Sequence, residues 1–183
     1  MRIFSFDGKD EAIKHQMAQL LVDAFREHWA DAWETFEDGL KEVEEMCEAE
    51  RICLVAVDDE KLLGMIGGIS GYDGMVWELH PLAVQLGLQG RGIGRALVLA
   101  LEEQVRQRGG LTITLGSDDQ DEMTSLANVD LYVDLWDKIK NIQNFKGHPY
   151  EFYQKMGYVI TGVVPDANGL GKPDIIMSKR VAE

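Results

Sequence analysis

Residues 75–97 read MVWELHPLAVQLGLQGRGIGRAL, an alternating apolar stretch that runs into a glycine-rich turn and then into an amphipathic segment. The order predicts a strand over 75–84 and a helix over 92–108. Gly90, Gly92 and Gly94 carry no Cβ, so the backbone of the turn can approach a ligand closely. The first N–H groups of the helix are unpaired and sit at its positive dipole end, which makes the turn a seat for a diphosphate. The helix is well specified. Ile93, Leu97, Ala100, Leu101 and Val105 form one stripe, Arg95, Glu102, Glu103, Arg106 and Arg108 lie off it, and Gly109-Gly110 ends it.

Two ligand classes suit such a turn. A dinucleotide in a Rossmann unit is one, because a strand over 111–116 follows and Asp118 stands where a ribose-binding acid would. The spacing argues against it: the glycines read G-x-G-x-G, and Gly90 comes six residues after Val84 where the dinucleotide motif leaves almost no gap.

The other reading starts from Gln89-Gly90-Arg91-Gly92-Ile93-Gly94, which resembles the Q/R-x-x-G-x-G/A pyrophosphate arm of the GNAT acetyltransferase superfamily. Leu82 to Val84 precede the arm as the acetyl-coenzyme A-carrying strand end does in that family. Phe152-Tyr153-Gln154-Lys155-Met156-Gly157-Tyr158 resembles its later F/L-Y-x-K-x-G-F/Y segment. Further blocks narrow the resemblance. Trp77-Glu78-Leu79-His80-Pro81-Leu82, Gly109-Gly110-Leu111-Thr112-Ile113, His148-Pro149-Tyr150-Glu151-Phe152-Tyr153, and Ala167-Asn168-Gly169 with Lys172-Pro173-Asp174 are similar to the aminoglycoside 6′-N-acetyltransferases of the enterococcal chromosomal type. The blocks keep their order over nearly the whole chain. From about Phe25 to Phe36 this chain is several residues longer, in a stretch that helps to shape the acceptor site in that family.

The resemblance implies an α/β GNAT fold, a mixed and mostly antiparallel sheet with splayed central strands and helices on both faces. It implies acetyl-coenzyme A as co-substrate, held by Leu82, Ala83, Val84, Gln89, Gly90, Arg91, Gly92, Ile93, Gly94 and Arg95, with no metal. It implies direct attack by an amine in a ternary complex, most specifically the 6′-amine of an aminoglycoside. A homodimer through the C-terminal strands is also implied. Three departures from the general superfamily are shared by the aminoglycoside branch: two extra residues between Leu82 and Gln89, no proline before the arm, and no asparagine upstream of Tyr153.

Strand alternation predicts that Val76, Glu78, His80 and Leu82 share one face while Trp77, Leu79 and Pro81 point the other way. A carboxylate and an imidazole then face the same side. Acetyl transfer to an ammonium needs a proton removed, an oxyanion stabilised and a proton given to the departing thiolate. Glu78 is the candidate to hold the amine and take its proton, as the resembling glutamate does. His80 either relays that proton or is a hydrogen-bonded structural histidine. Pro81 has no N–H to pair with a neighbouring strand, and by the family's geometry the Leu82 N–H is the oxyanion donor. Tyr153 is the candidate acid or sulfur-orienting hydroxyl. By resemblance Tyr72 and Asp118 contact the acceptor; Asp118-Asp119 also reads as a loop or helix cap.

The chain has 183 residues, with 18 Lys plus Arg against 32 Asp plus Glu, a formal net charge of −14. The length fits one domain over 1–183, burying roughly 70% of the unfolded chain's surface. The charge excludes nucleic acid as a natural partner, since phosphate neutralisation needs basic patches. It would steer a cationic small-molecule amine toward the protein, and it equally serves solubility. No apolar run reaches the ~20 residues that span a bilayer, so no membrane role is expected. Two cysteines, Cys47 and Cys53, have neither metal nor C-x-x-C spacing. They read as free thiols of a cytoplasmic protein.

Elsewhere the pattern predicts a strand at 1–6, a helix on Ile13, Met17, Leu20, Leu21 and Ala24, and a second on Trp33, Phe36, Leu40, Val43 and Cys47. The acids of that second helix, Glu34, Glu37, Asp38, Glu42, Glu44 and Glu45, read mostly as a solvated face. A hairpin follows at 52–57 and 62–69, its second strand bent or bulged by Gly64, Gly67 and Gly68. A helix over 126–143, a short one at 149–156 and strands near 158–164 and 173–179 complete the chain. The competing functions are an acetyltransferase for a polyamine, another amino sugar or a protein amine, and a non-catalytic acyl-coenzyme A-binding regulatory domain.

Overall fold

The computed structural model describes residues 1–29 and 31–182, and their contacts divide into two compact units, Met1–Ile113 with Val181–Glu183, and Thr114–Arg180. In the first, β1 (Arg2–Ser5), β2 (Ile52–Asp58), β3 (Lys61–Gly71) and β4 (Val76–Val84) form an antiparallel meander in chain order. The six residues Ile52 to Val57 are all buried, as expected of a strand covered on both faces. Cys53, Val55 and Val57 pack with Met65, Leu62 and Ala83 against α1 (Glu11–Phe25) and α2 (Phe36–Met46). The opposite face meets α3 (Ile93–Gln107), whose Leu97 and Leu101 reach the β3 glycines Gly64 and Gly68.

The second helix begins later than its apolar stripe predicts. Thr35 accepts a hydrogen bond from the Asp38 N–H at 3.2 Å while the Asp38 carboxylate accepts from the Thr35 N–H at 3.0 Å, a reciprocal cap. Caps of this kind stabilise a helix by ~1 kcal/mol. Trp33 therefore lies ahead of α2, its ring edge-on to Phe25 at 4.8 Å.

Two bulges are visible in the register of this meander. Between Ala56↔Gly64 and Val57↔Leu62 the extra residue is on β3, beside Gly64 as expected. Between Ile66↔Leu82 and Gly68↔Leu79 it is on β4, at His80-Pro81, whose peptide bond is cis.

In the second unit, β5 (Thr112–Asp118), β6 (Val159–Val164) and β7 (Asp174–Arg180) lie in the order β5, β7, β6, with β6 and β7 antiparallel. The helix expected over 126–143 shrinks to α4 (Leu135–Lys140). Asn128 and Asp134 take left-handed conformations, the Asp130 carboxylate turns the chain by accepting from the Tyr132 N–H at 2.9 Å, and Thr124 bridges Asn144. Local Asn and Asp side-chain bonds override the weak apolar periodicity there. α5 (Tyr150–Lys155) follows Pro149.

Candidate functional site

The bulge in β4 rearranges the faces that simple alternation predicts. Glu78 pairs with Ile69, and Leu82 pairs with Ile66. Met65 belongs to the cluster beneath α1 and α2, whereas Gly64 and Gly68 face α3, so odd-numbered β3 residues from 65 to 69 point one way and even-numbered ones the other. Glu78 and His80 consequently face the α2 side, and the Leu82 side chain faces the α3 side. The shared face of Glu78, His80 and Leu82 is thus corrected: one inserted residue reverses the parity downstream of it. An oxyanion role for Leu82 uses its backbone N–H and does not depend on side-chain direction.

Glu78 is exposed and His80 half-buried. His80 Nε2 lies 3.9 Å from Glu42 Oε1, and its ring leans on Trp33 with centroids 5.9 Å apart. That Glu42 oxygen is buried and lacks a hydrogen-bond partner. Around it opens a cavity of about 430 Å³ lined by Asp31, Glu34, Asp38, Glu42 and Glu45, with Trp33 and Lys41. Part of the acid on α2 thus lines a concave surface, while Glu37 and Glu44 are solvent-exposed. Asp38 and Glu42 are four apart, as on one helix face, but the turn of chain that brings Asp31 and Glu34 over them has no periodic signature.

Tyr72 stands 81% exposed in the turn between β3 and β4, at φ 51°. Leu82, Ala83 and Val84 end β4 opposite Ile66, Met65 and Gly64. Gln89, Gly90, Arg91 and Gly92 are exposed. Gly90 and Gly92 adopt φ of 74° and 85°, and nothing lies within 4 Å of where a Cβ would be on either. Gly92 caps α3 without a side chain, and the helical ladder starts with the Ala96 N–H donating to the Gly92 carbonyl at 3.0 Å. The N–H groups of Ile93, Gly94 and Arg95 precede that bond, at the end of a fifteen-residue helix. Open space, a backbone free of side-chain caps and a nearby Arg91 and Arg95 fit a diphosphate.

The second unit holds Asp118 and Tyr153. Asp118 is half-buried, and its carboxylate accepts from the Asn168 side-chain amide. Asp119 is fully buried and accepts from the Met123 and Thr124 N–H groups at 2.6 and 2.8 Å, the loop-capping role. Tyr153 is buried between Phe152 and Tyr158, ring centroids 5.0 and 5.8 Å away. Burial pushes its hydroxyl pKa well up, so the group keeps its proton. His148, which the sequence reading passed over, is 1% exposed, and burial holds its pKa below the ordinary value.

A family model described as acetyltransferase (GNAT) family matches residues 14–132. No curated protein sequence matches the chain. Among solved structures, an aminoglycoside 6′-N-acetyltransferase complexed with coenzyme A is 46% identical, with a TM-score of 0.91 over 99% of this chain and 97% of that one. The aminoglycoside 6′-N-acetyltransferase from Enterococcus faecium is also 46% identical over the same shares, with a TM-score of 0.89. An aminoglycoside 6′-acetyltransferase type Ii is 40% identical, with a TM-score of 0.75 over 99% and 97%. With the strand, the glycine-rich arm and the helix all in place, the chain belongs to the GNAT family of acetyltransferases, whose acyl donor is acetyl-coenzyme A.

Proposed function

We propose that the protein acetylates the 6′-amine of aminoglycosides, using acetyl-coenzyme A and direct attack in a ternary complex. The observation that carries this reading is the 40–46% identity, over nearly the whole of both chains, to proteins described as aminoglycoside 6′-acetyltransferases. The acidic cavity beside His80 supports it, because an aminoglycoside is a polycation whose ammonium groups seek carboxylates.

Acetyl-coenzyme A supplies an activated acyl group on a thiol leaving group. In the proposed mechanism the arm from Gln89 to Arg95, with the strand end Leu82 to Val84, holds the donor. Glu78 orients the acceptor ammonium and takes its proton, directly or through water, and His80 on the same face stands ready to pass it on. The Leu82 N–H stabilises the oxyanion, a type of contact worth ~3–4 kcal/mol in other enzymes. Tyr153 donates to the departing thiolate, for which a protonated phenol is required. Tyr72 and Asp118 contact the sugar acceptor. The protein acts as a homodimer through its C-terminal strands; the exposed Val159 and Val164 on the terminal strand β6 support this, and sedimentation equilibrium tests it.

The cavity's carboxylates suit a linear polyamine as well, which makes that acceptor class the second reading. Thiol release from acetyl-coenzyme A decides, comparing kanamycin A, its 6′-hydroxy analogue and spermidine. Turnover that requires the 6′-amine is expected. Turnover on spermidine alone would replace the acceptor, and coenzyme A binding without turnover on any amine would make the protein a binding domain.

A further inference from the structure

Within the second unit, the end of β5 and the helix that carries Tyr153 are joined by one imidazole. His148 Nδ1 lies 3.2 Å from the Tyr150 N–H, in the first turn of α5, and can only accept there. Its Nε2 lies 3.1 Å from the Asp118 carbonyl oxygen, which can only accept, so Nε2 carries the proton. The two partners together select the neutral Nε2–H tautomer. The ring leans on Tyr150, centroids 5.7 Å apart, and the charged groups acting on it are Asp118 and Asp119.

The backbone of His148 is clamped as firmly as its ring. Its N–H donates to Asn144 Oδ1 at 2.7 Å, and the Asn144 amide donates back to its carbonyl at 3.0 Å. Asn144 bridges Thr124, whose N–H donates to the Asp119 carboxylate at 2.8 Å. The chain of bonds closes on itself through Asp118-Asp119, Thr124, Asn144 and His148. Every member is buried or half-buried.

We infer that His148 is a positioning residue that ties the Asp118 strand end to the first turn of α5, so that acceptor contact and thiolate protonation are set by one neutral imidazole. The inference rests on the proposed roles of Asp118 and Tyr153.

Two substitutions separate the two bonds. H148Q reaches as far as Nε2 and keeps a donor for the Asp118 carbonyl; H148N keeps an acceptor near the Tyr150 N–H and loses the Asp118 tie. Losing one buried hydrogen bond of ~0.5–1.5 kcal/mol predicts a KM for kanamycin A raised about 3- to 10-fold in H148N. H148Q is expected to return it to within about twofold of wild type, with the KM for acetyl-coenzyme A unchanged in both. Nitrogen-15 NMR of histidine-labelled wild-type protein reads the ring independently, and an Nε2–H tautomer is expected. Equal effects of H148N and H148Q on every kinetic constant would overturn the inference, as would an Nδ1–H or charged ring at neutral pH. If wild-type protein leaves kanamycin A untouched, the acceptor reading alone fails, and the tautomer still decides the tie.

Discussion

The backbone carbonyl of His80 lies so close to Gly67 that a Cβ on the glycine would collide with it, with Met46 Cε 3.0 Å away on the same side. This approach accommodates the extra residue of β4 opposite β3, and with it the reversal that turns Glu78 and His80 away from the Leu82 side. A backbone atom cannot yield as a flexible side chain would. Gly67→Ala is therefore expected to destabilise the protein by ~1–3 kcal/mol, as overpacking does. Differential scanning calorimetry should show a Tm lowered by roughly 2–4 °C per kcal/mol. An unchanged Tm would mean that the β4 bulge is not held by this contact.

The proton-transfer roles are separable by kinetics. Glu78→Gln keeps the shape and removes the proposed base, with an expected loss of ~10²–10⁴ in kcat. Tyr153→Phe removes a hydroxyl whose pKa burial has raised, so a smaller loss and a steeper dependence on leaving-group basicity are expected. Steady-state rates across pH, with protein folding verified by circular dichroism, provide the check. Near-normal turnover in both variants would remove these assignments.

Much of this architecture is legible in the residues, and the failures have physical causes. The β4 strand, the arm and α3 stand out because alternation, glycine and a long apolar stripe agree with one another. The face shared by Glu78 and His80 is readable by period two, but Leu82 lies beyond an inserted residue that periodicity cannot register. The stretch from Leu126 to Gln143 carries enough apolar residues to suggest one long helix, but only Leu135–Lys140 is helical, because left-handed turns at Asn128 and Asp134 and the Asp130 bond to the Tyr132 N–H break the run before it. The acidic cavity depends on how the connection before Thr35 folds over α2. His148 is a single buried histidine whose two partners lie 2 and 30 residues away, a relation that no local pattern encodes.

The arm offers a test of donor binding that leaves the acceptor side alone. Gly92 holds φ at 85° with nothing within 4 Å of where a Cβ would stand, so a Cβ there is penalised by backbone conformation and not by a clash. Gly92→Val should cost ~1–2 kcal/mol in that conformation. If the arm is fixed by donor binding, the KM for acetyl-coenzyme A rises roughly tenfold at ~1.4 kcal/mol per decade. The KM for the amine is expected to stay within error. Equal increases in both constants would point to a general loss of structure.

The two cysteines lie outside this chemistry and are unequal in reactivity. The interaction between their thiols, with Lys14 nearby, lowers the Cys47 pKa, while the same interaction and burial raise that of Cys53. Ellman's reagent should therefore modify Cys47 rapidly and Cys53 only on unfolding, and Cys47→Ala should abolish the fast phase. The double variant Cys47→Ala, Cys53→Ala is expected to keep wild-type turnover. Its complete loss in a folded protein would reopen an acyl-cysteine route.

His148 also makes a prediction for stability against pH. Burial depresses its folded-state pKa below the ordinary value of 6.5, so above that value the ring is neutral in both states and costs nothing. As pH falls below 6.5, the unfolded chain binds a proton that the folded protein refuses. Stability is then lost progressively until pH drops through the folded pKa, where the ring finally charges: Nε2–H still donates to the Asp118 carbonyl, but Nδ1 gains a proton and the Tyr150 N–H loses its acceptor. Urea midpoints measured from pH 8 to pH 5 should thus decline for wild type across the acidic part of that range. His148→Gln has no titrating ring and should decline less over the same interval, whatever its absolute stability. Parallel curves for the two proteins would show that His148 charges equally in the folded and unfolded chains, and that its burial carries no penalty against protonation.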